Sequence, residues 1–175
     1  MPIVTTIEGR IAQVAIDRPE KRNTLSSELC KDLAREFLEL NDDTRVRSIV
    51  LCGHNNVFCA GLDIEEQLAE NTPIFNEFQK VIDALDALSK PVVAAVSGPA
   101  VSQGAAMLYH CDLVFAGEHA LFSMPGLALG QTPRYGVSLL AVKSGGYKLA
   151  AQKLLLSEPI SAAEAVAMGL VNHIV

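Results

Sequence analysis

Ser48-Ile49-Val50-Leu51-Cys52-Gly53 followed by Phe58-Cys59-Ala60-Gly61-Leu62-Asp63 is the stretch on which the reading of the fold turns. The same design returns in Pro91-Val92-Val93-Ala94-Ala95-Val96 followed by Gly98-Pro99-Ala100-Val101-Ser102-Gln103-Gly104. In each, a short apolar run suited to a buried strand meets a bend that glycine permits, and helix-compatible residues come next. A chain leaving such a bend into a helix directs unpaired backbone N–H groups at whatever lies beyond it. Two such ends brought together can hold a single oxygen atom between main-chain donors.

Working outward, Ile3–Ile7 and Ile11–Ile16 flank Glu8-Gly9-Arg10 and read as a hairpin or meander. Asp17 to Asn23 is a polar loop containing a proline. Ser26 is placed to cap a helix bearing Leu29, Leu33, Phe37 and Leu40 on one face, ended by Asn41-Asp42-Asp43. Val46–Cys52 then reads as a buried strand. Ile74, Phe78, Val81, Ile82, Leu85 and Leu88 recur at helical spacing up to Lys90-Pro91. The pattern predicts a strand at Val92–Val96, a helix at Gly104–Cys111, and strands at Leu113–Ala116 and Leu121–Ser123. Helices follow at Val137–Val142 and Lys148–Leu156. Ser161-Ala162-Ala163-Glu164 has the form of a capping box opening a last helix, which Gly169 ends. Leu170–Val175 reads as one more short strand. Strands alternating with helices give an α/β class with parallel pairing, and residues 1–175 read as one domain.

Composition narrows the function. Half of the 175 residues are apolar and 19% are charged, so a packed core is expected rather than disorder. A net charge of −6 offers no broad attraction to nucleic acid or to an anionic membrane surface. No apolar run reaches membrane-spanning length, and Met1 to Glu8 lacks the form of a secretory signal, so a soluble cytoplasmic protein is the expectation. Cys30, Cys52, Cys59 and Cys111 show no metal-binding spacing and read as free thiols. His54, His110, His119 and His173 are scattered, and no GxSxG, GxxxxGK[ST] or GxGxxG pattern occurs.

Four segments in order resemble the crotonase (enoyl-CoA hydratase/isomerase) superfamily: Asp17 to Ser26, Phe58 to Asp63, Ala95 to Gly104 with Cys111-Asp112, and Pro159 to Asn172. The resemblance implies a spiral of ββα units that binds an acyl-CoA thioester, with coenzyme A entering as part of the substrate and no separate cofactor or metal. It places the thioester oxygen between the backbone N–H groups of Leu62 and Gln103. It also sets Lys21 and Arg22 near the CoA phosphates, and Ala60, Asp63 and Ile64 around the adenine and pantetheine. Read from the residues alone, Lys21 and Arg22 equally suit a solvated loop. Relatives continue into a helical C-terminal region that forms trimers or hexamers. The chain stops at Val175 and is expected to lack most of that region.

The pattern departs from the family at its acids. Ala106 and Gly126 stand where hydratases carry glutamates, and Pro133-Arg134 stands where the Δ3,Δ2-enoyl-CoA isomerase-like branch has Pro-Glu. That branch is otherwise the nearest, through Gly98-Pro99-Ala100-Val101 and His110-Cys111-Asp112-Leu113-Val114. Arginine stays protonated and cannot act as the base. Three readings follow: isomerase- or hydratase-type chemistry with its base elsewhere, Tyr135 being the nearest candidate; decarboxylation of a carboxylated acyl-CoA held by Arg134; or a non-catalytic acyl-CoA-binding member. Arg134 also fits an exposed loop arginine.

Overall fold

In the computed structural model, which describes residues 2–69 and 72–175, β1 (Ile3–Glu8) and β2 (Ile11–Ile16) form the expected antiparallel hairpin. Gly9, at φ 60°, makes the reversal between them. The chain then runs through α1 (Ser27–Asp42), β3 (Ser48–Gly53), α2 (Ile64–Gln67), α3 (Ile74–Asp86) and β4 (Val92–Val96). Next come β5 (Ala100–Val101), α4 (Gln103–Leu108), β6 (Leu113–Ala116) and β7 (Leu121–Ser123). The last elements are α5 (Val137–Gly145), α6 (Tyr147–Leu155), β8 (Ile160–Ser161), α7 (Ala162–Ala167) and β9 (His173–Ile174).

A six-stranded sheet has the order β1-β2-β3-β4-β6-β9, parallel from β2 onward. Each parallel step needs a crossover, and α1 and α3 provide the first two. The inward residues Val14, Ile16, Ile49, Leu51, Ala94 and Val114 share one buried core with Leu33 and Phe37 of α1 and Phe78 and Val81 of α3. A second, three-stranded sheet, β5-β7-β8, stands beside the first.

Local signals set several boundaries. The Ser26 hydroxyl accepts from the Leu29 N–H at 3.1 Å and starts α1. The Ser161–Glu164 capping box is formed in both directions and starts α7. The strand expected over Leu170–Val175 shrinks to His173–Ile174. Gly169, at φ 66°, turns the chain so that the N–H groups of Leu170 and Val171 both return to the Ala165 carbonyl, which takes them out of any ladder.

Asn23 ties the polar loop into this frame. It is fully buried at φ 57°, a conformation that asparagine tolerates better than most residues. Its amide nitrogen donates to the carbonyls of His54 (3.0 Å) and Val57 (2.7 Å), and its oxygen accepts from the Arg18 N–H at 2.8 Å. Asn23→Ala is expected to lower stability by about 3 kcal/mol in urea denaturation, because it removes three part-buried hydrogen bonds that tie two loops together. Asn23→Asp should recover little, since it restores only the acceptor.

Candidate active site

The two glycine bends are locked to each other by main chain. Cys59 and Ala100 form a parallel bridge. The N–H groups of Phe58 and Cys59 both reach the Pro99 carbonyl, at 3.0 and 3.3 Å, and the Val101 N–H reaches the Cys59 carbonyl at 2.9 Å. Glycine is required where they touch. A Cβ on Gly104 would run into the Cys59 carbonyl and lie 2.9 Å from the Cys59 Cβ. Gly61, at φ 95°, would bring a Cβ within 3.1 Å of the Ser102 Cβ.

Each bend leaves one amide outside the internal ladder. The Gly61 carbonyl accepts from Leu25, and the Asp63 N–H donates to Leu25, so Leu62 is held on both sides. Among the described residues the Leu62 N–H has no acceptor, and neither has the Gln103 N–H. Ser102 introduces Gln103 with φ 54° and ψ −115°, a sparsely populated conformation that costs on the order of 1–3 kcal/mol. Such strain gathers where backbone direction matters to a site.

Beneath the first bend the Cys59 thiol is buried, and burial pushes its pKa up to about 12. Its sulfur accepts from the Gly61 N–H at 3.4 Å, so it braces the turn. A thiol so far from ionising is no nucleophile at neutral pH.

A cleft of about 480 Å³, counting its open mouth, opens beside the second bend. Its wall includes Ser102, Gln103, Ala106, Met124, Gly126, Leu127, Leu154 and the loop from Gln131 to Tyr135. The positions matched to catalytic glutamates, Ala106 and Gly126, therefore face one space together with Gln103, Arg134 and Tyr135. Among the described residues no carboxylate lines it. The Arg134 guanidinium lies over the Phe75 ring, 4.7 Å from its centroid. The Tyr135 ring packs edge-on against Phe78 at 4.7 Å, and its hydroxyl donates to the Phe75 carbonyl at 3.3 Å. Burial pushes the phenol up to about 12, away from service as a base at neutral pH.

The other sequence-derived candidates gather on the first bend, and none lines the cleft. Lys21 pairs with Glu65 at 3.0 Å. Arg22 is exposed, and its carbonyl accepts from the Ala60 N–H at 3.2 Å. Asp63 is buried, caps α2 through the Glu65 N–H and pairs with Arg18 at 3.1 Å. Ile64 is exposed at the start of α2. The structure thus separates a patch of these residues at the first bend from the cleft at the second. Among the described residues no cluster of His, Cys, Asp and Glu is arranged to hold a metal ion, and no helix is long and apolar enough to cross a membrane.

Sequence reasoning missed Phe75, Ser102 and Asn23. Phe75 falls off the main apolar stripe of its helix and had no signal. Asn23 had one, as an asparagine in a loop that must reverse direction.

Residues 6–175 match the family model described as enoyl-CoA hydratase/isomerase. The chain is 34% identical to the short-chain-enoyl-CoA hydratase of Clostridium acetobutylicum, over 99% of its own length and 68% of that protein's. It is 32% identical to the 2,3-dehydroadipyl-CoA hydratase of Escherichia coli, over 98% of the chain and 68% of the relative. Among solved structures, an enoyl-CoA hydratase/isomerase from Pseudoalteromonas atlantica superposes with a TM-score of 0.92 at 32% identity, covering 99% of this chain and 69% of that one.

Proposed function

Since the chain belongs to the enoyl-CoA hydratase/isomerase family, as its sequence and fold both attest, we propose that it binds an acyl-CoA thioester with the carbonyl oxygen between the Leu62 and Gln103 amides. The observation that carries this reading is the pair of unpartnered N–H groups on two bends joined through Cys59 and Ala100. Loss of the α-proton from a thioester places negative charge on that oxygen. Two fixed donors would lower the barrier by about 3 kcal/mol each, because they need no reorganisation as charge develops. Backbone donors also explain why leucine and glutamine can stand there, since neither side chain takes part. The acyl group would lie in the cleft, and Lys21 and Arg22 would reach the CoA phosphates from the first bend.

The chemistry is of the enoyl-CoA hydratase/isomerase type, carried mainly by stabilisation of the enolate. No carboxylate on the described cleft wall is available to move the proton. One feature favours a second reading: Arg134 is exposed on that wall with no ion-pair partner among the described residues. A guanidinium there suits a carboxylated acyl group. Cleavage of the bond to the carboxylate would leave its electron pair on the α-carbon as the thioester enolate. Carbon dioxide would depart and solvent would return a proton, so no base would be needed.

Calorimetry with butyryl-CoA, followed by turnover assays with crotonyl-CoA, a 3-enoyl-CoA and methylmalonyl-CoA, tests both readings. Binding with slow hydration or isomerisation supports the first. Carbon dioxide release that falls in Arg134→Ala supports the second. Binding without turnover across the panel leaves an acyl-CoA-binding role alone. No binding to any ester overturns the site.

A further inference from the structure

The strand-to-helix loop bearing Arg134 and Tyr135 is held from behind by a histidine outside the cleft wall. His110 follows α4, its N–H bonded to the Met107 carbonyl at 3.0 Å. Its side chain is 8% exposed. Nδ1 lies 2.8 Å from an Asp86 carboxylate oxygen at the end of α3, and Nε2 lies 2.9 Å from the Tyr135 carbonyl. A carbonyl only accepts, so Nε2 carries the hydrogen; the Asp86 carboxylate accepts from Nδ1 when that nitrogen carries one too.

The loop needs such a hold. Tyr135 and Gly136 are consecutive residues in left-handed conformations, at φ 57° and 71°, and α5 begins directly after them. A tyrosine adopts that conformation only where its surroundings enforce it. The ring and hydroxyl are fixed by Phe78 and Phe75, which leaves the carbonyl, and His110 takes it.

We propose that His110 is the positioning residue of the cleft, fixing through the Tyr135 carbonyl where Arg134 and Tyr135 stand relative to the Gln103 amide. Helix α4 makes the link, since Gln103 begins it, Ala106 lines the cleft, and the chain just past its end carries His110. At about 1.5 Å per residue the helix is a rigid spacer between the proposed oxygen-binding amide and the arginine-bearing wall. Asp86 orients the ring and does not touch the cleft. The role in ligand binding rests on the acyl-CoA reading; the hold on the loop does not.

Hydrogen exchange and butyryl-CoA calorimetry on three variants of the full chain test this. His110→Asn removes the atom that reaches Tyr135. His110→Gln returns a donor near the Nε2 position. Asp86→Ala removes only the exposed orienting carboxylate and keeps the test available should a His110 variant fail to fold. In His110→Asn, exchange at residues 134–139 should rise about ten-fold and affinity should fall about ten-fold, the size of one lost hydrogen bond. Exchange in β3 and β4 should not change. His110→Gln should stay near the parent, and Asp86→Ala should lie between. Unchanged exchange at 134–139 in both His110→Asn and Asp86→Ala overturns the proposal, as does a His110→Gln protein as loose as His110→Asn. Failure of the parent to bind any acyl-CoA would remove the ligand reading, while the exchange result would still decide the hold on the loop.

Discussion

Gly104→Ala is expected to destabilise the protein by about 2–4 kcal/mol and to abolish acyl-CoA binding, a far larger effect than an alanine normally has in a helix. The added methyl would press into the Cys59 carbonyl and sit 2.9 Å from the Cys59 Cβ. Neither obstacle is the far end of a flexible side chain. The Cys59 backbone is pinned by its bonds to Pro99 and Val101, so the bends must move apart. Their separation would alter the relation between the Leu62 and Gln103 amides on which the proposed oxygen site depends. Gly117→Ala is the control, because its nearest atoms would lie 3.8 Å or more from the new methyl. Urea denaturation and butyryl-CoA calorimetry decide the matter. A Gly104→Ala protein with parental stability and affinity would mean that the joint yields easily and that the bends need not be rigid.

Arg134→Glu is expected to raise isomerisation of a 3-enoyl-CoA to the 2-enoyl ester by about a hundred-fold over the parent, the low end of what a placed general base contributes. The cleft has the enolate-stabilising half of the chemistry in the proposed reading and lacks a carboxylate on its described wall. Residue 134 faces that space from an exposed loop, so a carboxylate there would meet the acyl group without being buried unpaired. The substitution gives up the stacking of the guanidinium on Phe75, a loss of about 1 kcal/mol at most for an exposed pair. Arg134→Gln should remove the cation without the gain. A parent that already isomerises at ordinary enzymatic rates would place its base elsewhere, and an unresponsive Arg134→Glu would mean that this position does not address the acyl carbons.

The sheet strands were readable because their apolar runs are bounded by glycine, proline or polar residues, as at Val92–Val96 between Pro91 and Gly98. The helices α1 and α3 were readable from one-sided apolar spacing. Short elements were not. Helix α2 has four residues and no buried position, so no periodicity marks it. Strands β5 and β8 each span two residues and are defined by their pairing with β7. At the site, the gathering of Ala106, Gly126 and Arg134 on one wall followed from motif positions. The separation of the first-bend residues from the cleft did not, because it depends on how the bends dock. The grip on Tyr135 was also hidden, since it joins a side chain to a carbonyl distant in sequence.

The sealed sulfur beneath the joint has one more consequence. An alkylating reagent can mark Cys59 only after the surrounding chain has parted, because both burial and the suppressed thiolate protect it in the closed molecule. Its labelling rate is therefore a clock for breathing of the architecture that would grip a thioester, and a ligand seated across both bends should slow that clock.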